Sequence, residues 1–522
     1  MAQLPDYVSS SKPVPKESRT GWLTTAAATY AGVMLWFVFW QDVPTGGGNF
    51  AGGTLAAGLP VAGGALILAA LLCYFLYFLV PGLLGMKTGL PLAVVGTSTY
   101  GTVGGYLMPG FLMGVLQFGW LSVNAYFSAL LLAAPFGQNA GSPLHIGIGI
   151  VWALIAMFMG LKGIQYVGKV ASYLPVIPIV ILVLLLVKTV GIYTTFDANK
   201  MMEAAETKIK TSEKALPDIL AKLDAFGYPG KLTGEKKQEF KTLEEQYQKT
   251  LQASQSKPAT LYGNASLGVL SLMCTYVIGF FATAGAAGVG ICSVVKNKTS
   301  VHLGGLVGIV LPTVASGIIA LIVVAGAQKL ALEAGKPELL SVYQVPGLFE
   351  LILGSKQVAA VCMFLLAIAA FPSACFCTLI AADCIKTSFP KINPWASCGV
   401  GVAAAIALVV TGWAGQAGAV FSVIGASFGP ICGAMAADYI LSGFKWAGPR
   451  AGVNPAGWLS WFFGFIVGGA TLVVTGFLGK PMPFEIPCPP LSAFLTGFVL
   501  YIVFAKTGLQ TKTLDLPQRI DR

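Results

Sequence analysis

The chain has 522 residues, of which 56% are hydrophobic and only 10% are charged, whereas a soluble protein carries about 25% charged residues. So few charges cannot cover the surface of a water-soluble globule of this length. The composition therefore excludes a soluble enzyme, a nucleic-acid-binding protein and a secreted disulfide scaffold, and it indicates an integral membrane protein with several spans, whose net charge of +11 reflects topology.

The first 21 residues are polar and basic, and the apolar run that follows is too long for the hydrophobic core of a signal peptide. We therefore expect an uncleaved first span. A span needs about 20 mostly apolar residues. Twelve stretches meet that requirement: 22–41, 59–84, 104–133, 145–162, 170–195, 265–291, 302–327, 357–382, 395–414, 417–441, 456–478 and 490–506.

The distribution of Lys and Arg predicts the orientation of these spans. With the N-terminus in the cytoplasm, sixteen basic residues lie on the cytoplasmic side and five in the short outer loops and span ends. Cytoplasmic loops carry the excess of positive charge. We therefore expect a multi-pass protein of the cell (inner or plasma) membrane with both termini in the cytoplasm.

The segment 197–262 differs in composition from everything around it, with eleven basic and ten acidic residues. Its apolar residues recur at helical spacing on both sides of a Gly-Tyr-Pro-Gly turn signal at 227–230. This pattern predicts a helical hairpin on the outer face. The hairpin is either a solvated insertion without a role in transport, or a docking arm for a partner or a cap over the entrance.

These features divide the chain into five parts. They are a cytoplasmic N-terminal tail, spans one to five, a charged extracytoplasmic hairpin insertion, spans six to twelve and a cytoplasmic C-terminal tail, at 1–21, 22–195, 196–263, 264–507 and 508–522.

The ten cysteines lie mostly inside apolar stretches, without a CxxC pair or a Cys/His metal-ligand spacing. We interpret them as small apolar packing residues.

Ionisable residues are nearly absent from the predicted spans. Asp42, Asp383 and Asp438 fall at span ends, and Lys188 can extend to the interface. Proton pumps and carriers of charged solutes keep an ionisable group near the midplane. The sequence therefore favours a neutral solute, or one with delocalised charge. A driving cation would be held by hydroxyl and carbonyl oxygens, which favours sodium and leaves protons open.

Four motif regions lie along the chain, one directly after span one and the others in or beside spans three, six and ten. The approach to span three reads KTGLPL at 87–92, and span three reads STYGTVGGY at 98–106 and QFGWLSVN at 117–124. Span one is followed by GGTLAAG at 52–58. Span six contains GFFATAG at 279–285 before KNK at 296–298, and span ten contains GASFGP at 425–430 and AADY at 436–439.

This ordered set resembles the purine/cytosine permeases of the nucleobase:cation symporter-1 family, in particular the cytosine permease-like branch, over 22–195 and 265–450. The resemblance implies an all-α membrane protein with a LeuT-like fold, in which two inverted five-span repeats are followed by two extra helices. It also implies that spans one and six are broken near the midplane, with the solute between them and spans three and eight. Glycines in both regions are compatible with such breaks.

The resemblance assigns the solute site to six residues. Trp120 matches the tryptophan on which the family stacks a flat ring, and Asn124, one helical turn further, matches the polar residue that hydrogen-bonds the ring edge. Phe281 matches the aromatic residue on the opposite face of the ring, with Phe280 and Thr283 beside it. Thr378 falls where many members have a substrate-binding Asn.

The same resemblance places a sodium site on spans one and eight. Ala369, Pro372 and Ser373 fall where the family has its sodium-binding Ala and Ser/Thr pair, and the stretch from Gly32 to Trp36 covers the carbonyl ligands of span one. The sequence departs from the family here, since Pro372 replaces a hydroxyl residue and Thr378 replaces an Asn. The solute therefore need not be cytosine.

The sequence thus favours a secondary transporter that couples a cation gradient, Na⁺ or H⁺, to uptake of cytosine or a related small neutral heterocycle. We expect no enzymatic activity, no cofactor and no nucleic-acid partner. Two alternatives remain open. One is a carrier of another small solute, such as an amino acid, on the same fold, and the other is a transporter-like sensor or scaffold that signals through the hairpin at 197–262.

Overall fold

The computed structural model describes residues 4–27, 43–46, 50–162, 174, 176–226, 234–335, 345–389, 391–478, 480 and 482–515. Within them, ten helices are long and apolar enough to cross a membrane: Leu59–Thr88, Thr97–Phe136, Pro143–Lys162, Val176–Tyr193, Ala265–Cys292, Lys298–Glu333, Lys356–Thr387, Ala417–Leu441, Pro455–Thr475 and Pro489–Lys506. A shorter apolar helix, Pro394–Val410, corresponds to the ninth predicted span. These helices are called spans two to twelve in chain order.

The first predicted span, 22–41, lies outside the described residues except for a π-helical turn at Leu23–Ala27. Apart from the two helices of the charged insertion, the remaining described elements are short. They are the helices Asp6–Ser9, Lys16–Ser18, Gly53–Leu55, Leu92–Val95, Val345–Leu353 and Trp413–Gly415, and the parallel two-residue strands Phe50–Ala51 and Lys257–Pro258.

Nine of the eleven described spans form two packed groups, and spans five and seven pack against each other. Spans three, four, eight and nine pack against one another, and spans two, six, ten and twelve form a second group with span eleven on its outside. Close approach within the second group depends on small residues, as is usual between membrane helices. A Cβ on Gly497 of span twelve would lie 2.6 Å from the Cα of Pro430 in span ten. Span six faces spans three and eight across the boundary between the groups.

Span six is one continuous helix from Ala265 to Cys292, so the break predicted in it is wrong. Its glycines serve close packing instead. A Cβ on Gly279 would lie 2.7 Å from the carbonyl oxygen of Phe421, and a Cβ on Gly285 would lie 2.7 Å from the Cβ of Tyr77. The break predicted in span one falls outside the described residues.

A break occurs instead at the start of span three, where Gly101 has φ 82° and ψ 169°. This backbone region favours glycine because a side chain there meets its own backbone. The amides that follow are paired outside the helix: those of Thr102 and Val103 donate to the carbonyls of Arg450 and Gly452, both at 2.8 Å. The loop after span ten therefore holds the start of span three.

Both described terminal segments lie at one end of the bundle, called here the termini end. The amide of Val14 donates to the carbonyl of Gly89 after span two at 3.0 Å, and the amide of Leu514 donates to the carbonyl of Pro449 at 2.7 Å. Since span two ends at this side, its first residue, Leu59, marks the opposite end, which is called the hairpin end.

The charged insertion forms two helices at the hairpin end, Ala198–Asp224 and Gly234–Gln255. The Asp197 carboxylate caps the first helix by accepting from the amide of Asn199 at 2.9 Å. Beyond that cap, the hairpin attaches to the body mainly at its base. A Cβ on Gly52 would lie within 3 Å of the side chains of Met201 and Met202, and Phe50 pairs with Lys257.

Candidate functional site

A cavity of about 110 Å³ lies between spans three, six and eight. For scale, an apolar cavity on the order of 150 Å³ binds benzene in another protein. Its walls are mostly apolar, with four polar side chains. The lining residues are Gln117, Trp120, Asn124, Phe280, Thr283, Ala284, Ala287, Ser373, Phe376, Cys377 and Ile380. Five of the residues predicted from the sequence are among them: Trp120, Asn124, Phe280, Thr283 and Ser373.

Trp120 lines the cavity and is held in place by span six. Its indole Nε1 donates to Thr283 Oγ1 at 3.0 Å. The Phe280 ring stands nearly perpendicular to it, with centroids 4.8 Å apart, and the Phe421 ring of span ten lies against it at 5.0 Å and 32°. An amphipathic ring held in this way offers a large apolar surface without freedom to rotate.

The Phe421 ring contacts Trp120 from the hairpin side. Phe421 is close to the start of span ten, and its ring also contacts Phe280 at 5.7 Å and Tyr276 at 6.3 Å. From Trp120 the lining continues in the other direction, through Gln117 in span three and Ala287 in span six, the latter about 6 Å further along its helix than Thr283. The cavity therefore extends towards the termini end.

Asn124 borders the cavity, but its carboxamide is engaged by neighbouring helices. Its Nδ2 donates to the carbonyl of Ala370 in span eight at 3.0 Å. Its Oδ1 accepts from Trp152 Nε1 of span four at 3.0 Å and from Ser128 Oγ at 3.5 Å. Asn124 therefore links spans three, four and eight.

Gln117 is a lining residue that our sequence analysis did not single out. It is buried, and its Nε2 donates to the Met113 sulfur at 3.5 Å. A signal was available, because Gln117 precedes Trp120 by three residues and so lies on the same face of the helix. The family motif drew attention instead to Asn124, four residues after Trp120.

Phe281 and Thr378 do not line the cavity. Phe281 is buried in the core, because consecutive residues of a helix point about 100° apart and Phe280 takes the position facing Trp120. The Thr378 hydroxyl donates to the carbonyls of Cys375 at 2.9 Å and Ala156 at 3.1 Å. It thereby faces span four, where Gly160 leaves room for it. Their assignment to the solute therefore gains no support from the structure.

The predicted cation ligands are only partly described. Gly32 and Trp36 lie outside the described residues. In span eight, Ser373 lines the cavity, Pro372 is buried and Ala369 is half-buried. Proline has no N–H, so Pro372 deprives the carbonyl of Ile368 of its usual helical partner. Oxygen atoms of this kind suit a hard cation, and the described residues contain no cluster of His, Cys, Asp or Glu that could hold a metal ion.

Charged groups are absent from the described lining and are buried elsewhere. Arg450 Nη2 lies 3.3 Å from Asp438 Oδ1 at the termini end. Asp438 also accepts from the Tyr501 hydroxyl at 2.7 Å, and Arg450 Nε donates to the carbonyl of Ser98 at 2.7 Å. This ion pair joins spans three, ten and twelve at some distance from Trp120.

Comparison with known proteins gives a likeness of fold. No protein-family model matches the sequence, and no curated protein sequence matches it. Solved structures do match. The chain is similar to Mhp1, a nucleobase-cation-symport-1 family transporter, in a closed conformation with bromovinylhydantoin bound. That match has a TM-score of 0.60 at 14% identity and covers 99% of each chain.

Two further structures agree over nearly the whole chain. The inward-facing conformation of Mhp1 matches with a TM-score of 0.62 at 14% identity, covering 98% of this chain and 96% of that one. A Na⁺-coupled sialic acid symporter in a substrate-bound, outward-open state matches with a TM-score of 0.54 at 12% identity, covering 98% and 93%. The predicted LeuT-like helical membrane fold is thereby confirmed.

Proposed function

We propose that the chain is a secondary active transporter that moves a small, flat, uncharged heterocycle, such as cytosine or a related nucleobase, across the cell membrane with a cation. The observation that carries this proposal is the cavity beside Trp120. Its described walls combine aromatic rings with amide and hydroxyl groups and contain no Asp, Glu, His, Lys or Arg. The fold likeness to two symporters, one of which has a hydantoin bound, supports it.

The lining favours an uncharged solute for a physical reason. A charge moved from water into a mostly apolar cavity loses its hydration, and only a paired group of opposite sign offsets that loss. The described lining offers hydroxyls and carboxamides but no such partner. An amino acid, whose carboxylate and ammonium groups both need partners, fits this part of the site less well than a neutral ring.

Sodium is the coupling cation that the available oxygens favour, with protons as the alternative. Ser373, the carbonyl of Ile368 and the stretch from Gly32 to Trp36 are the groups we assign to it. A site without a carboxylate has no group that binds and releases a proton easily, whereas hydroxyl and carbonyl oxygens bind a hard cation directly. The similarity to a Na⁺-coupled symporter supports the same choice.

Transport would proceed by alternating access around Trp120. Phe280, Phe421 and Tyr276 cover the hairpin side of the cavity, while its lining continues towards the termini end. With the termini in the cytoplasm, as the distribution of basic residues predicts, the part of the cavity lined by described residues extends towards the cytoplasm. Movement of the span six and span ten group against spans three and eight would separate these rings from Trp120 and admit solute from outside.

Uptake into proteoliposomes tests the solute class. Radiolabelled cytosine, uracil, hypoxanthine, hydantoin and leucine are compared in wild type and Trp120→Ala. We expect uptake of at least one heterocycle, loss of that uptake in the variant, and no leucine uptake. Uptake of leucine alone would favour the amino-acid carrier. No uptake of any probe by folded protein would favour the sensor or scaffold.

A further inference from the structure

We propose that Cys274 and Cys488 form a redox-active thiol pair, which a disulfide-containing oxidant converts into a disulfide between span six and the start of span twelve. Cys274 lies in the half of span six nearest the hairpin end, and Cys488 directly precedes span twelve at that end. The distribution of basic residues predicts that this end is extracytoplasmic. Extracytoplasmic spaces oxidise thiols, whereas the cytosol keeps them reduced.

The backbone of Cys488 is fixed between two helices. It has φ 38° and ψ 75°, a left-handed conformation that is uncommon for a residue other than glycine. Its amide donates to Ser271 Oγ of span six at 2.7 Å, and its carbonyl accepts from the amide of Ser492 in span twelve at 3.0 Å. Cys488 therefore begins span twelve while it is held against span six.

The contact with Ser271 brings Cys488 to the face of span six that carries Cys274. Residues three apart in a helix lie on the same face, one turn from each other. The two thiols are close enough to interact directly, and both side chains are buried, with 3% and 5% of their surface exposed. A disulfide requires two backbones that already run close together, and this arrangement provides them.

The neighbouring contacts also hold the start of span twelve where the bond would need it. The Tyr262 hydroxyl, just before span six, donates to the carbonyl of Glu485 at 3.3 Å. On the other side, a Cβ on Gly425 of span ten would lie 2.6 Å from Cγ of Pro490. A bond between the two cysteines would therefore reinforce contacts that exist without it.

The oxidation proceeds by thiol–disulfide exchange, and Cys488 is the cysteine that an oxidant reaches first. Pro487, the residue before it, is exposed, as are residues 483–485. The Cys488 thiolate attacks one sulfur of the oxidant and releases the first thiol. Cys274 then attacks the Cys488 sulfur of the mixed disulfide and releases the second thiol. The two electrons and the two protons of the cysteines end on the oxidant, which leaves as two thiols.

Cys73 of span two is the rival partner for Cys274, because their thiols also lie near each other. The Cys73 thiol donates to the carbonyl of Val277 at 3.7 Å and is buried within span two, away from any exposed loop. A metal site is not the alternative, since the described residues contain no group of three or more His, Cys, Asp or Glu that could hold an ion. The pairing with Cys488 is therefore the one we assign.

Peptide mapping of the purified full-length protein in nanodiscs tests the proposal. Wild type, Cys488→Ala and Cys73→Ala are treated with oxidised glutathione, and parallel samples are kept in a reductant. The proteins are then unfolded, the remaining thiols are alkylated, and the digests are analysed by mass spectrometry. The thermal unfolding midpoint of each oxidised and reduced sample is recorded before unfolding.

We expect oxidised wild type to yield one peptide pair linked through Cys274 and Cys488, which the reductant separates. Cys73→Ala, the matched control, should yield the same linked pair, and Cys488→Ala should not. Because the bond joins residues that are distant in sequence, oxidation should raise the unfolding midpoint of wild type and of Cys73→Ala by several degrees. The midpoint of Cys488→Ala should not change.

Three results would overturn the proposal. One is full alkylation of Cys274 and Cys488 after oxidation of folded wild type. Another is a linked pair that contains Cys73 in place of Cys488. The third is a midpoint that falls on oxidation, which would show that the bond distorts the fold. None of these results bears on the proposed transport function, which uptake measurements test separately.

Discussion

Trp120 is the residue on which the account of the site depends, and a hydrogen bond fixes its orientation. The indole N–H reaches Thr283 across the boundary between the two groups of helices, and the Phe280 and Phe421 rings hold the hairpin side of the ring. Thr283 is therefore a positioning residue for Trp120.

Replacing Thr283 with Val keeps its shape and removes the acceptor. The buried indole N–H then loses this acceptor, which lowers the free energy of unfolding by about 1–3 kcal/mol, and we expect a raised KM for uptake. Thr313→Val is the matched control, because the buried hydroxyl of Thr313 has no hydrogen-bond partner within the described part of the chain. That change should leave both quantities near wild type. Equal effects of the two substitutions would contradict the role assigned to Thr283.

The sequence predicted five of the eleven described lining residues but not the rotation of each helix. The family resemblance identified Trp120 and Thr283, and spacing from such a motif residue finds its neighbours on one face of the helix. It cannot decide between adjacent aromatics such as Phe280 and Phe281, because the direction each one faces depends on packing elsewhere. The bonds that occupy Asn124 come from spans four and eight, which are distant in sequence.

At the scale of single elements, the glycines of span six are compatible with two structures, and the structure shows which one forms. Glycine allows both an unwound helix and close helix packing, so its glycines alone could not distinguish the two. Gly285 lies against Tyr77, whereas Gly290 has open space around it. The neighbours in space, which the sequence does not reveal, decide in favour of packing.

Gly285→Ala should therefore destabilise the protein, because the added methyl would lie 2.7 Å from the Tyr77 Cβ and 2.9 Å from its carbonyl oxygen. Overpacking of this kind lowers the free energy of unfolding by about 1–3 kcal/mol. Gly290→Ala, in the same helix, should be neutral. Thermal unfolding in detergent compares them, and equal midpoints would show that span six tolerates a larger separation from span two.

The hairpin is the second informative element, because it contacts the body mainly at its base. We expect replacement of residues 204–254 by a short Gly/Ser linker to leave uptake largely intact, since Met201, Met202 and the Phe50–Lys257 pairing are retained. Removal of 198–258 should reduce uptake and stability. Gly52 would lose its contacts with Met201 and Met202, and Phe50 would lose its pairing with Lys257.

Uptake kinetics of the two deletions in proteoliposomes make this comparison. Loss of function in the shorter deletion, with the protein still folded, would contradict the view of the distal hairpin as dispensable. It would favour the docking arm or the signalling alternative.

At the scale of the whole molecule, the buried ion pair joins elements that come from opposite ends of the sequence. Removing one partner of such a pair leaves an uncompensated buried charge, which lowers the free energy of unfolding by about 3–5 kcal/mol. Arg450→Met should therefore be strongly destabilising, and adding Asp438→Asn should recover part of the loss. Lys329→Met is the control, since its pair with Glu333 is partly solvent-exposed and is worth about 0–1 kcal/mol. Thermal midpoints that do not separate these variants would contradict the structural role of the pair.

The central claim is that the cavity at Trp120 serves active transport, and concentrative uptake tests it most directly. Proteoliposomes with an inward sodium gradient are supplied with the heterocycle taken up best, and its internal concentration is compared with the external one. We predict accumulation above the external concentration, collapse on adding a sodium ionophore, and no accumulation by Trp120→Ala. Sodium-independent equilibration, or accumulation that survives in Trp120→Ala, would contradict the account.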